Sequence, residues 1–518
     1  MQGQGMAVKA GSKRKKTRVY RRRRWVDTGE GVVRLRTRRI RRRRGQKPPR
    51  KDPGPRPLPR PQKPKRPAAP QPFGIFLGHF GRIEATRLLN RAGFGPTPGQ
   101  AEKLARKGFP KAVESLTRPK SKLQLIGPEP VDSDGLPIAP FDAWGHDHLW
   151  WLDRMVRSNQ PFRERMALVF HDWFATSIAG VSQQRQMIDQ FWKLRAAVNG
   201  TFDDLVLTLT VDPAMLQWLN GNENTKWSPN ENFARELMEL FTLGADRGAY
   251  TEDDVREAAR ALTGWRSDWD DDLGAINFRF DPKYHDEGSK TIFGKTGNWG
   301  WQDVCRLCVT HPMHADFFVE KLWSYFIPAA PSKSTMKSLV SLYLKGNRRI
   351  LPVLEAILRH PDLYRGPAMV KPPAVYNASL LRALGLPVET DSWTWLGDGA
   401  GQKLFEPPNV SGWDDESWLD TSTVRARWLM VTYALDSRHH DAWDESYASQ
   451  ESTRNAMNRA LAALGWPALR SEHQNELIAF SNRVPSHIRD EWQQRPYLAM
   501  RQNALLQLIA SSPDFQLS

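Results

Sequence analysis

The sequence predicts a mostly α protein: a large multi-helix globular body with a small irregular or β-hairpin insertion and a disordered basic N-terminal arm. Three observations predict it. From about residue 73 apolar residues recur at helical spacing, punctuated by residues that start and stop helices. Charge is partitioned: residues 1–70 hold 26 Lys+Arg against 3 Asp+Glu, leaving 49 basic and 54 acidic residues in 71–518. No repeat of about 20–50 residues is visible, which argues against a solenoid.

The arm spans residues 1–46. Within it, residues 13–44 alternate Val, Leu, Thr or Ile with Arg around Asp27-Thr28-Gly29-Glu30-Gly31, the pattern of a weak hairpin. Such a hairpin buries no core of its own, so disorder is expected until it meets a polyanion. Residues 47–72 carry 11 prolines and form a semi-rigid linker. Residues 13–66 therefore predict a polyanion partner, nucleic acid or an anionic polymer; the alternative is a merely solubilising tail.

A helical core domain is expected over 73–437, and a C-terminal helical segment packed on it over 438–518. Arg82–Arg91 precedes the turn Gly93-Phe94-Gly95-Pro96-Thr97, and Thr97 or Pro98 opens a helix through Lys107. Helices follow at 109–117, 142–158, 161–177, 182–198, 201–210, 229–243, 251–263, 301–309, 313–326, 333–345, 349–358 and 368–384. Those at 421–435, 451–464, 471–481, 486–493 and 496–510 complete the chain. Residues 276–296 replace helical periodicity with alternation and turn residues, and predict a small hairpin or irregular loop.

The segment SPNENFARELMELFTLG holds the sharpest signal. Ser228, Pro229 and Glu231 read as a capping box, and Gly244 as the stop. Phe233, Leu237, Leu240 and Phe241 make one apolar arc, with Glu231, Arg235, Glu239 and Thr242 opposite. Glu236 projects among Phe233, Leu240 and Leu243, and Asn230 also falls among apolar positions. A sequestered carboxylate must be paired, hydrogen-bonded or neutralised, so groups from distant segments are expected opposite Glu236.

Other segments carry candidate chemistry. His171 lies in a helix apolar nearly all round, with Glu164 two turns earlier on its side. It is a candidate general base or metal ligand, or a hydrogen-bonded core histidine. His285, Asp286 and Lys290 share a glycine-containing loop that suits either a pocket rim or a turn. Phe405–Asp414 is a rigid polar-aromatic loop in which Gly412 permits close backbone contact; it floors a cleft or plugs Trp413 into the body. Several of the 21 tryptophans, Trp265 and Trp413 among them, stand in loops where they stack on sugars or wedge between helices. Cys305, Cys308, His311 and His314 are spaced by threes, but Pro312 interrupts them, and buried free cysteines fit better than zinc.

Expected catalytic residues are thus Glu236, His171, Arg235, His285 and Asp286, with Arg260 close by. Asn230, Trp265, Lys290, Asn409 and Trp413 are expected to hold substrate. The sequence names no cofactor and no metal set. Phosphate-loop, nucleophile-elbow and HExxH patterns are missing, so nucleotide-dependent, serine-esterase and zincin readings have no support. No apolar run is long enough to span a bilayer and no secretory core follows the arginines, which predicts a cytoplasmic location.

The chain also resembles a bacterial family catalogued as domain of unknown function 1800. The blocks that carry the resemblance are RLLNRAGFGPT, RERMALVFHDWFATS, DPAMLQWLNG, NENFARELMELFTLG and YTEDDVREAARALTGW. HDEGSKTIFG, KLWSYF and GQKLFEPPNVSGW continue the series within about residues 80–430. The resemblance implies a largely helical fold and no particular activity. It also implies export or envelope association, since many members carry a signal. Relatives often read HNHF where this chain has His171-Asp172-Trp173-Phe174, and many have His in place of Phe241. Two functional expectations follow. One is a hydrolase-like enzyme acting on a glycan or other polymer through carboxylate and imidazole groups. The other is a non-catalytic scaffold whose polar cluster fixes helix packing and whose arm tethers it to a polyanion.

Overall fold

The computed structural model describes residues 74–181, 183–441, 451–483 and 490–518. The basic arm, with the hairpin expected in it, and the proline-rich linker lie outside the described residues. Among those described, the chain forms 22 α-helices and two small antiparallel sheets, so it is a mostly α protein. No described helix is long and apolar enough to cross a membrane.

Polar side chains start many of these helices. Thr201 with Asp204 and Thr251 with Asp254 form capping boxes, and Asp212, Ser332, Asp420 and Ser452 cap four more. Their apolar faces assemble two large clusters. Phe109–Thr117, Phe202–Thr210, Trp301–Val309, His314–Ser324 and Ile350–Leu358 contribute to the first. The second gathers His146–Arg157, Gln184–Ala197, Pro373–Leu384, Thr421–Asp436 and the helices beyond 451.

The helix Pro161–Trp173 serves both clusters. Pro161–Trp173 sends Phe162, Met166, Val169, Phe170 and Trp173 into the first, and Ala167 and Leu168 into the second. Its near-complete apolar circumference is explained by that central position. Polar groups on its remaining stripe lie along the seam between the cores.

Four local expectations are corrected. The helix expected at 229–243 begins at Asn232, where the Asn230 side chain, rather than Ser228, accepts the first free N–H at 2.9 Å. It is α-helical only through Glu236 and continues as a π-helix over Leu237–Thr242. The wider turn rotates later side chains, so Thr242, expected on the polar face, is fully buried. The helix expected at 368–384 starts at Pro373, because consecutive prolines do not fit a helix interior. The pair expected at 486–493 and 496–510 is one helix, Glu491–Ser511, which tolerates Pro496 near its start; residues 484–489 lie outside the description.

The hairpin begins earlier than its alternating segment implies. Strand β1 (Trp265–Asp270) pairs with β2 (Gly274–Phe280), and β3 (Lys290–Ile292) pairs with β4 (Lys295–Gly297). Cys305 and Cys308 are free and buried, as their helical setting predicts.

Candidate active site

The residues singled out in the sequence separate into three neighbourhoods instead of one. Glu236 is half-buried. Burial, then the neighbouring charge of Glu239, pushes its carboxyl up, while Arg235 pulls it down. No hydrogen bond or ion pair reaches Glu236 from the other described residues, so the expected answer from distant segments is not what the fold provides. Arg235 instead holds Glu252 through two bonds of 2.8 Å and Glu231 at 3.0 Å on the surface. Asn230 is taken up with local backbone, receiving the N–H of Asn232 and donating its own to Asn224.

The second neighbourhood is an ionic clasp. Arg260 donates to Asp286 at 2.8 and 3.2 Å and to Glu257 at 2.9 and 3.0 Å. Burial raises the Asp286 carboxyl, but Arg260 and the Gly288 N–H outweigh it and hold it below the usual range. Lys290 is almost wholly buried and donates to the backbone oxygens of Asp286 and Gly288 at 2.5 and 2.7 Å. His285 contacts the Thr263 carbonyl through Nδ1 at 2.9 Å, and Trp265 packs edge-on against Phe280 and Trp301. Arg260 is thus matched by Asp286 and Glu257, and Lys290 lies 3.8 Å from Asp286. The clasp pins the loop to the helix Glu252–Ala261.

The third neighbourhood forms a cavity. His171 is fully buried between Trp151, Phe405 and Trp413, stacked on Trp413 with centroids 5.4 Å apart. Burial lowers its imidazole to about 3, and neither ring nitrogen has a partner among the described residues. The ring is therefore neutral at pH 7. Glu164, expected beside it, accepts from Arg195, Ser158 and Arg154 at 2.7, 3.1 and 3.2 Å.

The next residue, Asp172, faces a different environment. Asp172 lies on the seam-facing stripe of Pro161–Trp173, one turn beyond Leu168 and Val169. Its Oδ2 accepts from the Tyr325 hydroxyl at 2.8 Å, and its Oδ1 accepts the Trp413 N–H at 2.9 Å. Burial raises its carboxyl; Trp413, Tyr325 and Lys321 pull it down and Asp415 adds a like charge, with a net upward shift. Gly412 makes this contact possible. Its φ is +95°, and a Cβ there would lie 2.5 Å from Asp172 Oδ1 and 2.6 Å from the Asp172 carbonyl oxygen.

Around Asp172 opens a cavity of about 290 Å³, walled by Arg165, Lys321, Tyr325, Gln402, Ser411, Trp413 and Trp418, with exposed Asp415 also on its lining. Arg165 is buried, lowered to about 10 by desolvation, and its Nε and Nη1 have no partner among the described residues. Lys321 is lowered to about 8 by burial against the pull of Asp172 and donates to the Leu240 carbonyl at 3.3 Å. That bond ties the π-helix following Glu236 to the cavity wall. Asn409 is exposed and shapes the loop, its Oδ1 accepting the Ser411 N–H at 2.8 Å. Of the substrate-holding residues expected from sequence, only Trp413 lines this cavity.

Asp172, Arg165, Lys321 and Tyr325 were not singled out by sequence reasoning. A signal existed: RERMALVFHDWFATS, KLWSYF and GQKLFEPPNVSGW each contribute residues to the one cavity. Fold and site together define a mostly helical protein with a protonatable carboxyl set in a cationic, aromatic-walled pocket. The chain belongs to the family described as "Protein of unknown function (DUF1800)", whose sequence model matches residues 87–517, further than the blocks quoted above extend. No curated protein and no solved structure matches it.

Proposed function

We propose that the protein is a hydrolase-like enzyme acting on a glycan or other polymer at the Asp172 cavity. The observation that carries this reading is the environment of Asp172 itself. A carboxyl whose hold on its proton is strengthened by burial, and which is oriented by Tyr325 and the Trp413 N–H, is suited to donate that proton to a leaving oxygen. Asp415 supplies a second carboxylate on the cavity lining. Trp413 and Trp418 offer faces for a sugar ring, and the uncommitted N–H groups of Arg165 are donors for its oxygens. Asp172→Asn preserves shape but removes the transferable proton. Reducing-end release from soluble polysaccharides should fall by about 100-fold or more, the usual contribution of a positioned acid, with the thermal midpoint retained. Undiminished release would exclude Asp172 as the acid.

The arm supports a second activity separable from the first. With 26 basic and 3 acidic residues in positions 1–70, residues 13–66 are suited to hold nucleic acid or an anionic envelope polymer. Binding to heparin or duplex DNA should weaken steeply with salt and disappear on deletion of residues 1–70; unchanged binding would refute it.

A further inference from the structure

A second cavity, of about 360 Å³, lies between the helix Arg82–Arg91, the segment 368–371 and the C-terminal residues. Most of its wall is apolar, supplied by Ile83, Ala383, Leu464, Pro467, Phe515 and Leu517. At one side stands Lys371, only 3% exposed. Its Nζ reaches Ser379 Oγ at 3.4 Å and faces the Phe515 ring at 4.4 Å. Ser379 donates its own proton to the Tyr376 carbonyl, so it offers the amine a lone pair and nothing more.

A buried ammonium is normally matched by a carboxylate. Here none pairs with Lys371 among the described residues. The side-chain carboxylate on the cavity wall among the described residues, Asp514, is committed to Arg470 at 2.9 Å and His473 at 2.8 Å, and Ser518 on the same wall accepts from Arg91 at 2.6 Å. The charge acting on Lys371 is that of Arg427, which has the same sign; burial and this repulsion lower the amine to about 7. Arg87 adds a further cation to the wall; its Nη groups donate to the carbonyls of Tyr364, Gly366 and Pro367 at 3.0, 2.8 and 2.8 Å, while its Nε and the Thr86 hydroxyl have no partner among the described residues. The cavity thus combines an apolar interior with an unanswered positive pole.

We propose that this cavity binds a medium-chain monocarboxylate, its head group on Lys371 beside Arg87 and Thr86 and its alkyl chain along the Ala383–Leu464–Phe515 wall. The ligand completes an ion pair that the chain leaves open. An alcohol of equal length buries the same tail but brings no charge, and an amine brings the wrong one. The site is distinct from the Asp172 cavity, although the segment 368–372 contributes to both walls.

Isothermal titration of the full chain with decanoate, decanol and decylamine tests this. Decanoate should bind once per chain, decanol about tenfold or more weakly, as expected for a hydrogen bond to a charged group, and decylamine should not bind. Lys371→Met should remove the preference for decanoate while keeping tail binding, and Leu464→Trp should block both decanoate and decanol. The comparison of decanoate with decanol on the unaltered chain decides the matter even where a variant does not fold. Absence of saturable decanoate binding, equal affinity for the two, or a preference that survives in Lys371→Met would each overturn the assignment.

Discussion

Gly412→Ala adds one methyl group where the loop Phe405–Asp414 meets the end of the helix Pro161–Trp173. Three effects act in the same direction. A φ of +95° is unfavourable for any residue with a Cβ, at about 1–2 kcal/mol. The new Cβ would lie 2.5 Å from Asp172 Oδ1 and 2.6 Å from the Asp172 carbonyl oxygen, and the latter belongs to a helix held by two hydrophobic clusters. Overpacking of that kind costs about 1–3 kcal/mol. Relief by moving the loop breaks the Trp413 N–H bond to Asp172, a further 1 kcal/mol or so. The total is about 4 kcal/mol, a large share of the roughly 5–15 kcal/mol that separates folded from unfolded chains. Urea unfolding followed by tryptophan fluorescence should show that loss as a shifted midpoint. A loss below about 1 kcal/mol would refute the claim that this contact is tight and rigid.

Glu164→Ala should be comparably severe, because it strands Arg154 and Arg195 in the interior; about 3–5 kcal/mol is expected by chemical unfolding, and a near-neutral result would contradict the buried network. His171→Phe should be neutral or stabilising by about 1 kcal/mol at pH 7, since two unpartnered buried nitrogens disappear from an aromatic cage. That gap should widen on acidification. The unfolded imidazole takes a proton below 6.5, whereas the folded one resists until about 3, so the wild type alone carries this additional loss of stability as pH falls through that window. Thermal midpoints of the two proteins that run parallel from pH 7 to pH 4 would show that His171 is not buried as described.

Much of the helical fold was legible because amphipathic periodicity and capping are local. Arg82–Arg91, Phe109–Thr117, Trp301–Val309, Lys333–Lys345 and Ser471–Ser481 fall where that periodicity puts them. The short helices Pro213–Trp218, Pro361–Arg365 and Pro513–Gln516 were missed, although each pairs a capping side chain with a proline at its first position. The π-helix after Glu236 was not legible, since one added residue per turn changes no composition and depends on what the helix packs against. Glu236 was conspicuous because it disturbed a local pattern. Asp172 was not, because its environment is made by Tyr325 and Trp413, which lie 153 and 241 residues away. Local periodicity reports which face is apolar; it does not report which distant loop arrives there. Gly412 shows the intermediate case, a residue whose need for close contact was readable while its partner was not.

The account depends on the Asp172 carboxyl holding its proton to higher pH than an ordinary aspartate. Infrared difference spectroscopy of the wild type against Asp172→Asn, recorded at stepped pH, observes that proton directly. The structure predicts a protonated carboxyl C=O band, lost in the variant, that persists above the pH at which ordinary aspartates ionise. A wild-type band that titrates with the surface carboxylates would contradict it and remove the proposed acid.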